Sequence, residues 1–324
     1  MRTLPALDLA SASPQDVRAA LQGFGAMLVR DPGVPASRCL EAIADAEAFF
    51  ARPQLEKDAL AIAHSPHFRG YSQMHNERDW REQIHFGREV AGGAGGEQFG
   101  CLEGPNLWPG DVAWRERMLA YLAAVEGLGQ RVLSLIAESL GLPAQAFASE
   151  HEPYLLMKLI CYHAQPDAQR PRQGVAAHLD FSWVTLTLQD GTGGLEVQDP
   201  DGTWIPVVPV PGTWLVNVGE LLQFATRGAF VATPHRVENP STQRSRISMP
   251  MFLNPGLRAV VAPLEVPEVA LRAAEPLPHV HHVLDPAAPR TPFVFGEAEW
   301  RRKGQNVWCR QCCLTTSRAA RLRE

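Results

Sequence analysis

Cysteine is scarce in this chain, six in 324 residues. That is too few for the disulfide scaffold that small secreted domains use in place of a core. No unbroken apolar run reaches the roughly 18 residues that suggest a membrane span. An acid already stands at Asp8, so the opening residues lack the apolar stretch of a secretory leader. Neither sign of charge dominates: 30 Lys+Arg oppose 35 Asp+Glu, for a formal net charge of −5. That balance gives no electrostatic reason to expect nucleic acid or an anionic membrane as partner. No internal repeat is present. The run Gly92-Gly93-Ala94-Gly95-Gly96 lacks the strand, helix and lysine context of a phosphate loop and reads as a surface loop. The expectation is a cytoplasmic protein with a small-molecule partner, its oligomeric state left open.

What is present is an ordinary globular composition, 45% hydrophobic and 20% charged, which argues against a disordered chain. Up to about residue 150 the periodicity is mainly helical. Ser13-Pro14 predicts a capped helix start, with Val17, Leu21 and Phe24 following at helical spacing. Ser37 is a candidate cap for a second helix running through Ile43 to Phe50, stopped near Pro53. Asp111 is a candidate cap for the longest helix, and Gly141 with Pro143 predicts its end. From about Leu155 the texture changes to short apolar runs, Leu155–Tyr162, Trp183–Leu188, Trp214–Val218 and Ile247–Leu253. Turn signals such as Asp190-Gly191, Asp201-Gly202 and Pro211-Gly212 separate them. Many short strands with regular turns predict a sandwich or barrel. The organisation expected is one structural unit: a mainly helical region over 1–150 packed on a β-core over 151–258, then an extension with a helix over 259–324.

Two pairs of residues carry chemistry. In a strand, His178 and Asp180 project to one face, about 6–7 Å apart, so imidazole and carboxylate can converge on one metal ion. His235 supplies a second imidazole just before another strand-like run. Two imidazoles and a carboxylate make a facial triad with open coordination positions, the arrangement of non-haem Fe(II) oxygenases. Arg246 and Ser248 likewise share a strand face. Together they offer a planar donor fork and a hydroxyl to the far end of an acidic co-substrate.

Around these pairs the sequence resembles the isopenicillin N synthase-like group of Fe(II)/2-oxoglutarate-dependent oxygenases, over nearly the whole chain. The resemblance rests on Leu4-Pro5-Ala6-Leu7-Asp8-Leu9, Phe49-Phe50, Arg69-Gly70-Tyr71 and Asp79-Trp80-Arg81-Glu82. It continues through His178-Leu179-Asp180-Phe181, Gly193-Gly194-Leu195-Glu196-Val197, Asn217-Val218-Gly219-Glu220 and His235-Arg236-Val237, and closes on Arg246-Ile247-Ser248-Met249-Pro250. It implies a mainly β fold with helical cover, its core a double-stranded β-helix or jelly roll. It implies a dioxygenase using Fe(II), 2-oxoglutarate and O2, with succinate and CO2 as co-products. Its expected outcome is hydroxylation, desaturation or ring closure of a small organic substrate, in natural-product or amino-acid tailoring.

By the same resemblance His178, Asp180 and His235 are the catalytic iron ligands, and Arg246, Ser248 and Tyr162 bind 2-oxoglutarate. The family often carries Asn two residues before this tyrosine, where this chain has Ile160. Arg69, Tyr71, Arg81, Phe86, Phe181, Trp183 and Phe252 are candidate substrate contacts, with Arg88 in the same segment. Two other readings stay open: a 2-oxoglutarate-independent Fe(II) oxidase of the isopenicillin N synthase type, and a non-catalytic jelly-roll binding protein. Cys309, Cys312 and Cys313 suggest a zinc half-site, but no second cysteine pair completes it.

Overall fold

A computed structural model describes residues 3–31, 33–76, 79–91, 98–164, 173–199, 201–239, 241, 243–267, 282–285 and 287–304. The glycine run at 92–96 and the cysteines at 309, 312 and 313 lie outside them.

Ser13 caps α1 (Pro14–Phe24) through a full capping box with Asp16, and Gly25 ends it at φ 67. That left-handed turn sends the chain straight back into β2 (Ala26–Arg30), which pairs in parallel with β1 (Ala6–Asp8). Ser37 does not cap the second helix. α2 (Ala36–Phe50) begins after Pro35, whose extended backbone turns the chain into the helix, so Ser37 lies one residue inside. α3 (Gln54–Asp58) follows. The Asp111 carboxylate accepts from the Trp114 amide at 3.0 Å and opens α4 (Val112–Ser139). By length and composition α4 is apolar enough to cross a bilayer. Here it is a core helix. Gly129 lets it approach so closely that an added Cβ would stand 2.8 Å from Leu253 and 3.2 Å from Leu186.

Helical spacing hid three strands. β2, β3 (Gly70–His75) and β4 (Trp80–Phe86) join the large sheet, which takes four of its eight strands from before residue 150. The remaining strands are β5 (Leu155–Tyr162), β6 (Gln173–His178), β7 (Val184–Gln189), β8 (Leu195–Gln198), β9 (Trp204–Pro206), β10 (Trp214–Val218), β11 (His235–Glu238), β12 (Arg246–Leu253), β13 (Val260–Val261) and β14 (Phe293–Val294). Two short helices, α5 (Glu220–Ala225) and α6 (Phe295–Gly304), complete the regular elements.

The large sheet has the order β1-β2-β10-β7-β12-β5-β4-β3, and the small one β6-β11-β8-β9. The two form a double-stranded β-helix, the jelly roll. Alternation along β5 shows how both faces of the large sheet are used. Met157, Leu159 and Cys161 belong to the core shared with α1, α2 and α4. Ile160 and Tyr162 belong to a second core between the sheets, with Leu28, Val175, Leu195 and Val237. A strand buried on both faces reads as a continuous apolar run. The space between the sheets is not filled completely, and the remaining cavity is the site.

Candidate active site

Antiparallel pairing of β11 with β6 places His235 directly opposite His178, with ring centroids 4.2 Å apart. Asp180 completes the group. Its Oδ1 lies 3.7 Å from His178 Nε2, and its Oδ2 lies 3.5 Å from His235 Nε2. The ligand atoms of all three residues fall within 4.8 Å of one another. Strand alternation is not what turns Asp180 inward, because β6 ends at His178. Its backbone carbonyl accepts from the Glu220 amide at 2.8 Å, and its Oδ2 accepts from Asn217 Nδ2 at 2.9 Å. Those bonds aim the carboxylate.

The imidazoles are oriented from behind. His178 Nδ1 lies 2.8 Å from the Ala176 carbonyl, and His235 Nδ1 lies 3.1 Å from that of Thr233. A carbonyl only accepts, so each Nδ1 carries a proton, which leaves each Nε2 as the nitrogen that can ligate a metal beside Asp180. Burial and the neighbouring His235 ring push His178 well below its ordinary value, which keeps it neutral. The His178 side chain is 39% exposed, and it lines the cavity. Burial works to raise Asp180; the two imidazoles, Thr185 and Asn217 outweigh it and hold the carboxylate ionised. Two imidazole nitrogens and one carboxylate oxygen on one side of a gap fit a divalent transition metal.

The cavity, of about 540 Å3, is open to all three. That size suits a small organic molecule. At one end stand Tyr162 and Ser248, and Arg246 pairs with Tyr162 across β5 and β12. Arg246 is 0% exposed. Its Nε donates to the Gly193 carbonyl at 2.5 Å and its Nη2 to Gln189 Oε1 at 3.0 Å, and its guanidinium lies 5.1 Å from the Tyr162 ring centroid. Its Nη1 has no partner. Among the described residues no carboxylate pairs with it. A buried cation without a counter-ion is costly, so this end is built for an acid brought by a ligand. Gly174 makes room for the tyrosine: an added Cβ would stand 2.4 Å from its ring.

Three of the expected substrate contacts line the cavity: Arg81, Phe181 and Phe252. The others do not. Arg69 packs over Tyr154, 5.3 Å from its ring, and borders a different cavity of about 460 Å3. Arg88 borders that second cavity too, paired with Glu126 and with Glu152. The Tyr71 hydroxyl donates to Glu82 at 2.5 Å. Phe86 is core against Trp108 and Trp114, and Trp183 packs on Phe147. In each case tertiary packing claims a side chain whose type alone suited a pocket.

Sequence reasoning missed Lys158, Glu299 and Arg302, all of which line the cavity. Lys158 carried a signal, a charge in the apolar run Leu155–Tyr162 on the Tyr162 face. Arg301, Arg302 and Lys303 form a charge run of the kind that is ordinarily solvated. Instead Arg302 makes two bonds to Glu299, at 2.7 and 2.8 Å, and Glu299 is buried.

Comparison with known proteins follows the same lines. Residues 153–255 match the family model of the 2OG-Fe(II) oxygenase superfamily, and residues 4–111 match that of the non-haem dioxygenase in morphine synthesis N-terminal region. The 2-oxoglutarate-dependent dioxygenase frbJ of Dothideomycetidae sp. (strain 11243) is 32% identical over 290 residues, covering 82% of this chain and 78% of the relative. The Arabidopsis thaliana homoarginine-6-hydroxylase 2-ODD-C23.2 is 31% identical over 228 residues, covering 67% and 63%. Among solved structures, a putative 2OG-Fe(II) oxygenase family protein from Caulobacter crescentus superposes with a TM-score of 0.75 at 25% identity, covering 94% of this chain and 100% of that one. The rice dioxygenase for auxin oxidation gives 0.69 at 26% identity, covering 93% and 95%.

Proposed function

The chain belongs to the 2OG-Fe(II) oxygenase superfamily, and from that premise we infer that His178, Asp180 and His235 hold its iron while Arg246, Ser248 and Tyr162 hold 2-oxoglutarate. The protein is an Fe(II)/2-oxoglutarate-dependent dioxygenase acting on a small organic substrate. The observation that carries the residue assignment is Arg246: a fully buried guanidinium with an unpartnered Nη1, against Tyr162, which lines the cavity together with the two histidines and Asp180.

When bound, iron would activate O2, the oxidant, for the oxidative decarboxylation of 2-oxoglutarate and the coupled oxidation of a substrate C–H bond. The chain's residues do the positioning. The carbonyls of Ala176 and Thr233 fix both imidazoles in the ligating tautomer. Asn217 holds one carboxylate oxygen of Asp180. Arg246 and Ser248 fix the far carboxylate of the co-substrate, which points its oxo-acid end along the cavity toward the triad. Leu195, Val237 and Phe181 give the cavity apolar wall, which limits water at the reacting centre.

The relatives named for homoarginine hydroxylation support hydroxylation of an amino-acid-sized molecule, in amino-acid or natural-product tailoring. A reducing cytoplasm suits ferrous iron and the unbridged cysteines Cys39 and Cys161.

The test is co-product formation. With Fe(II), O2 and an accepted substrate, 2-oxoglutarate should be converted to succinate in step with substrate oxidation. Oxidation without succinate would mean that Arg246 binds substrate instead. Arg246→Met should raise the 2-oxoglutarate concentration for half-saturation by about ten- to hundredfold, the loss of one charge-assisted contact. An unchanged requirement removes Arg246 from the co-substrate site.

A further inference from the structure

We propose that Lys158 anchors a carboxylate of the organic substrate, with Arg81 and Arg302 framing the same subsite, so that the substrate is an acid bound at the end of the cavity away from Arg246. The proposal rests on the oxygenase reading above and names the substrate class for that site.

Position is the first argument. Lys158, Ile160 and Tyr162 project from one face of β5 into the cavity. Four residues of strand separate Lys158 from Tyr162 by about 13 Å. β12 runs alongside in the opposite sense: Arg246 pairs with Tyr162, and Phe252 pairs with Leu156. Lys158 Nζ lies 5.0 Å from the Phe252 ring centroid. The two cationic places therefore sit toward opposite ends of one cavity. 2-Oxoglutarate has two carboxylates, one for Arg246 and one for the metal, and leaves none for Lys158.

Charge is the second argument. Arg81 pairs with Asp79 at 3.1 Å. Arg302 and Lys303 share one carboxylate, Glu299, at 2.7 and 3.4 Å. Among the described residues no carboxylate pairs with Lys158. Three cations, Arg81, Lys158 and Arg302, line the cavity; of the three carboxylates that line it, Asp79 and Glu299 are taken by arginine and Asp180 belongs to the triad. His85, the register partner of Lys158 on β4, is half-buried with both ring nitrogens buried and unpartnered, and their burial pushes it well below its ordinary value. Burial, with repulsion from Arg81, Lys303 and Arg302, pushes Lys158 down to about 7. Like charges gathered on an enclosed wall are unfavourable until an anion arrives. A carboxylate there accepts from the ammonium and relieves the repulsion, and its hydrocarbon part is left facing Phe252, Phe181 and the triad.

Matched acid and amide probes of equal shape test this: phenylacetate with phenylacetamide, cyclohexanecarboxylate with its amide, and octanoate with octanamide. Binding to the full chain loaded with Fe(II) and 2-oxoglutarate is measured anaerobically by calorimetry. At least one acid should bind about tenfold or more tightly than its amide. That preference should collapse in Lys158→Met and persist in Lys158→Arg, while 2-oxoglutarate affinity and thermal midpoint stay near wild type. Equal binding of acids and amides, no binding by any acid, or a preference that survives Lys158→Met overturns the proposal. Weakened 2-oxoglutarate binding in Lys158→Met also overturns it, by making Lys158 a co-substrate ligand, and leaves the oxygenase reading intact. That reading fails separately, if wild type shows no visible charge-transfer band with Fe(II) and 2-oxoglutarate.

Discussion

Two buried clusters in this protein offer nearly the same ligand types, and only one suits a metal. Around Asp180 stand two histidines. Around Glu82 stand His163 and Cys161, and the ligand atoms of each group lie within 4.8 Å of one another. The Glu82 carboxylate is 0% exposed, as deeply set as any group in the chain. Its surroundings differ in charge. Lys57 Nζ donates to Oε2 at 2.7 Å, the Tyr71 hydroxyl donates to the same oxygen, and His163 Nε2 lies 2.7 Å from Oε1. Contacts with the Cys161 sulfur and with Glu82 push His163 up to about 10, so it is an imidazolium. Two resident cations already neutralise Glu82. Asp180 has two imidazoles and an amide, and among the described residues no lysine or arginine pairs with it. A divalent ion entering the first cluster meets repulsion, and in the second it meets lone pairs. The two clusters thus differ in resident lysine rather than in the kind of ligand offered, and the proposed iron site is the one without it.

The sharpest way to separate the clusters is to remove one imidazole from each. His235→Ala should abolish succinate formation, whereas His163→Ala should leave it measurable. Equal loss in both variants would mean that the clusters are not distinct in role. A smaller effect, on stability, should fall on the other side. Glu82→Ala strands a buried lysine and should lower the unfolding free energy by about 3–5 kcal/mol, read by denaturant titration. A change below about 1 kcal/mol would show that the pair is not the structural tie described here.

The smallest effect is a pH dependence. His163 is protonated in the folded state up to about 10 but ionises near 6.5 when unfolded. The folded state therefore binds more protons between those values. The stabilisation is complete below about 6.5, falls as pH rises and is gone above about 10. Glu82 is shifted the other way. Burial opposes ionisation, but His163, Lys57 and Tyr71 hold it below its ordinary value, so its share is lost as pH falls below 4.5. Replacing His163 by Gln should flatten the alkaline slope; an unaltered slope would assign it to another group.

Much of this was legible in the sequence for a physical reason. Strand alternation put Arg246 and Ser248 on one face before any coordinates, and β12 carries them so. The spacing of His178 and Asp180 brought the two together by an incomplete argument, since Asp180 lies beyond the strand and is aimed by Glu220 and Asn217. Local signals fixed Ser13 and Asp111 as caps, but Ser37 lost to Pro35. What stayed hidden depends on long-range packing. β3 and β4 are strands because β5 offers an edge, and Tyr71 is turned away from the site by the carboxylate across that hairpin. Lys158 and Arg302 look like solvated charges until the second sheet and α6 close over them.

The central claim is that His178, Asp180 and His235 form an iron site whose co-substrate reaches Arg246. The most direct measurement is anaerobic titration of the protein with Fe(II) and 2-oxoglutarate, followed by visible absorption. The account predicts a weak charge-transfer band that saturates at one iron per chain, is lost in His235→Ala and persists in His163→Ala. No band in the wild-type protein, or a band that survives His235→Ala and disappears in His163→Ala, would contradict it.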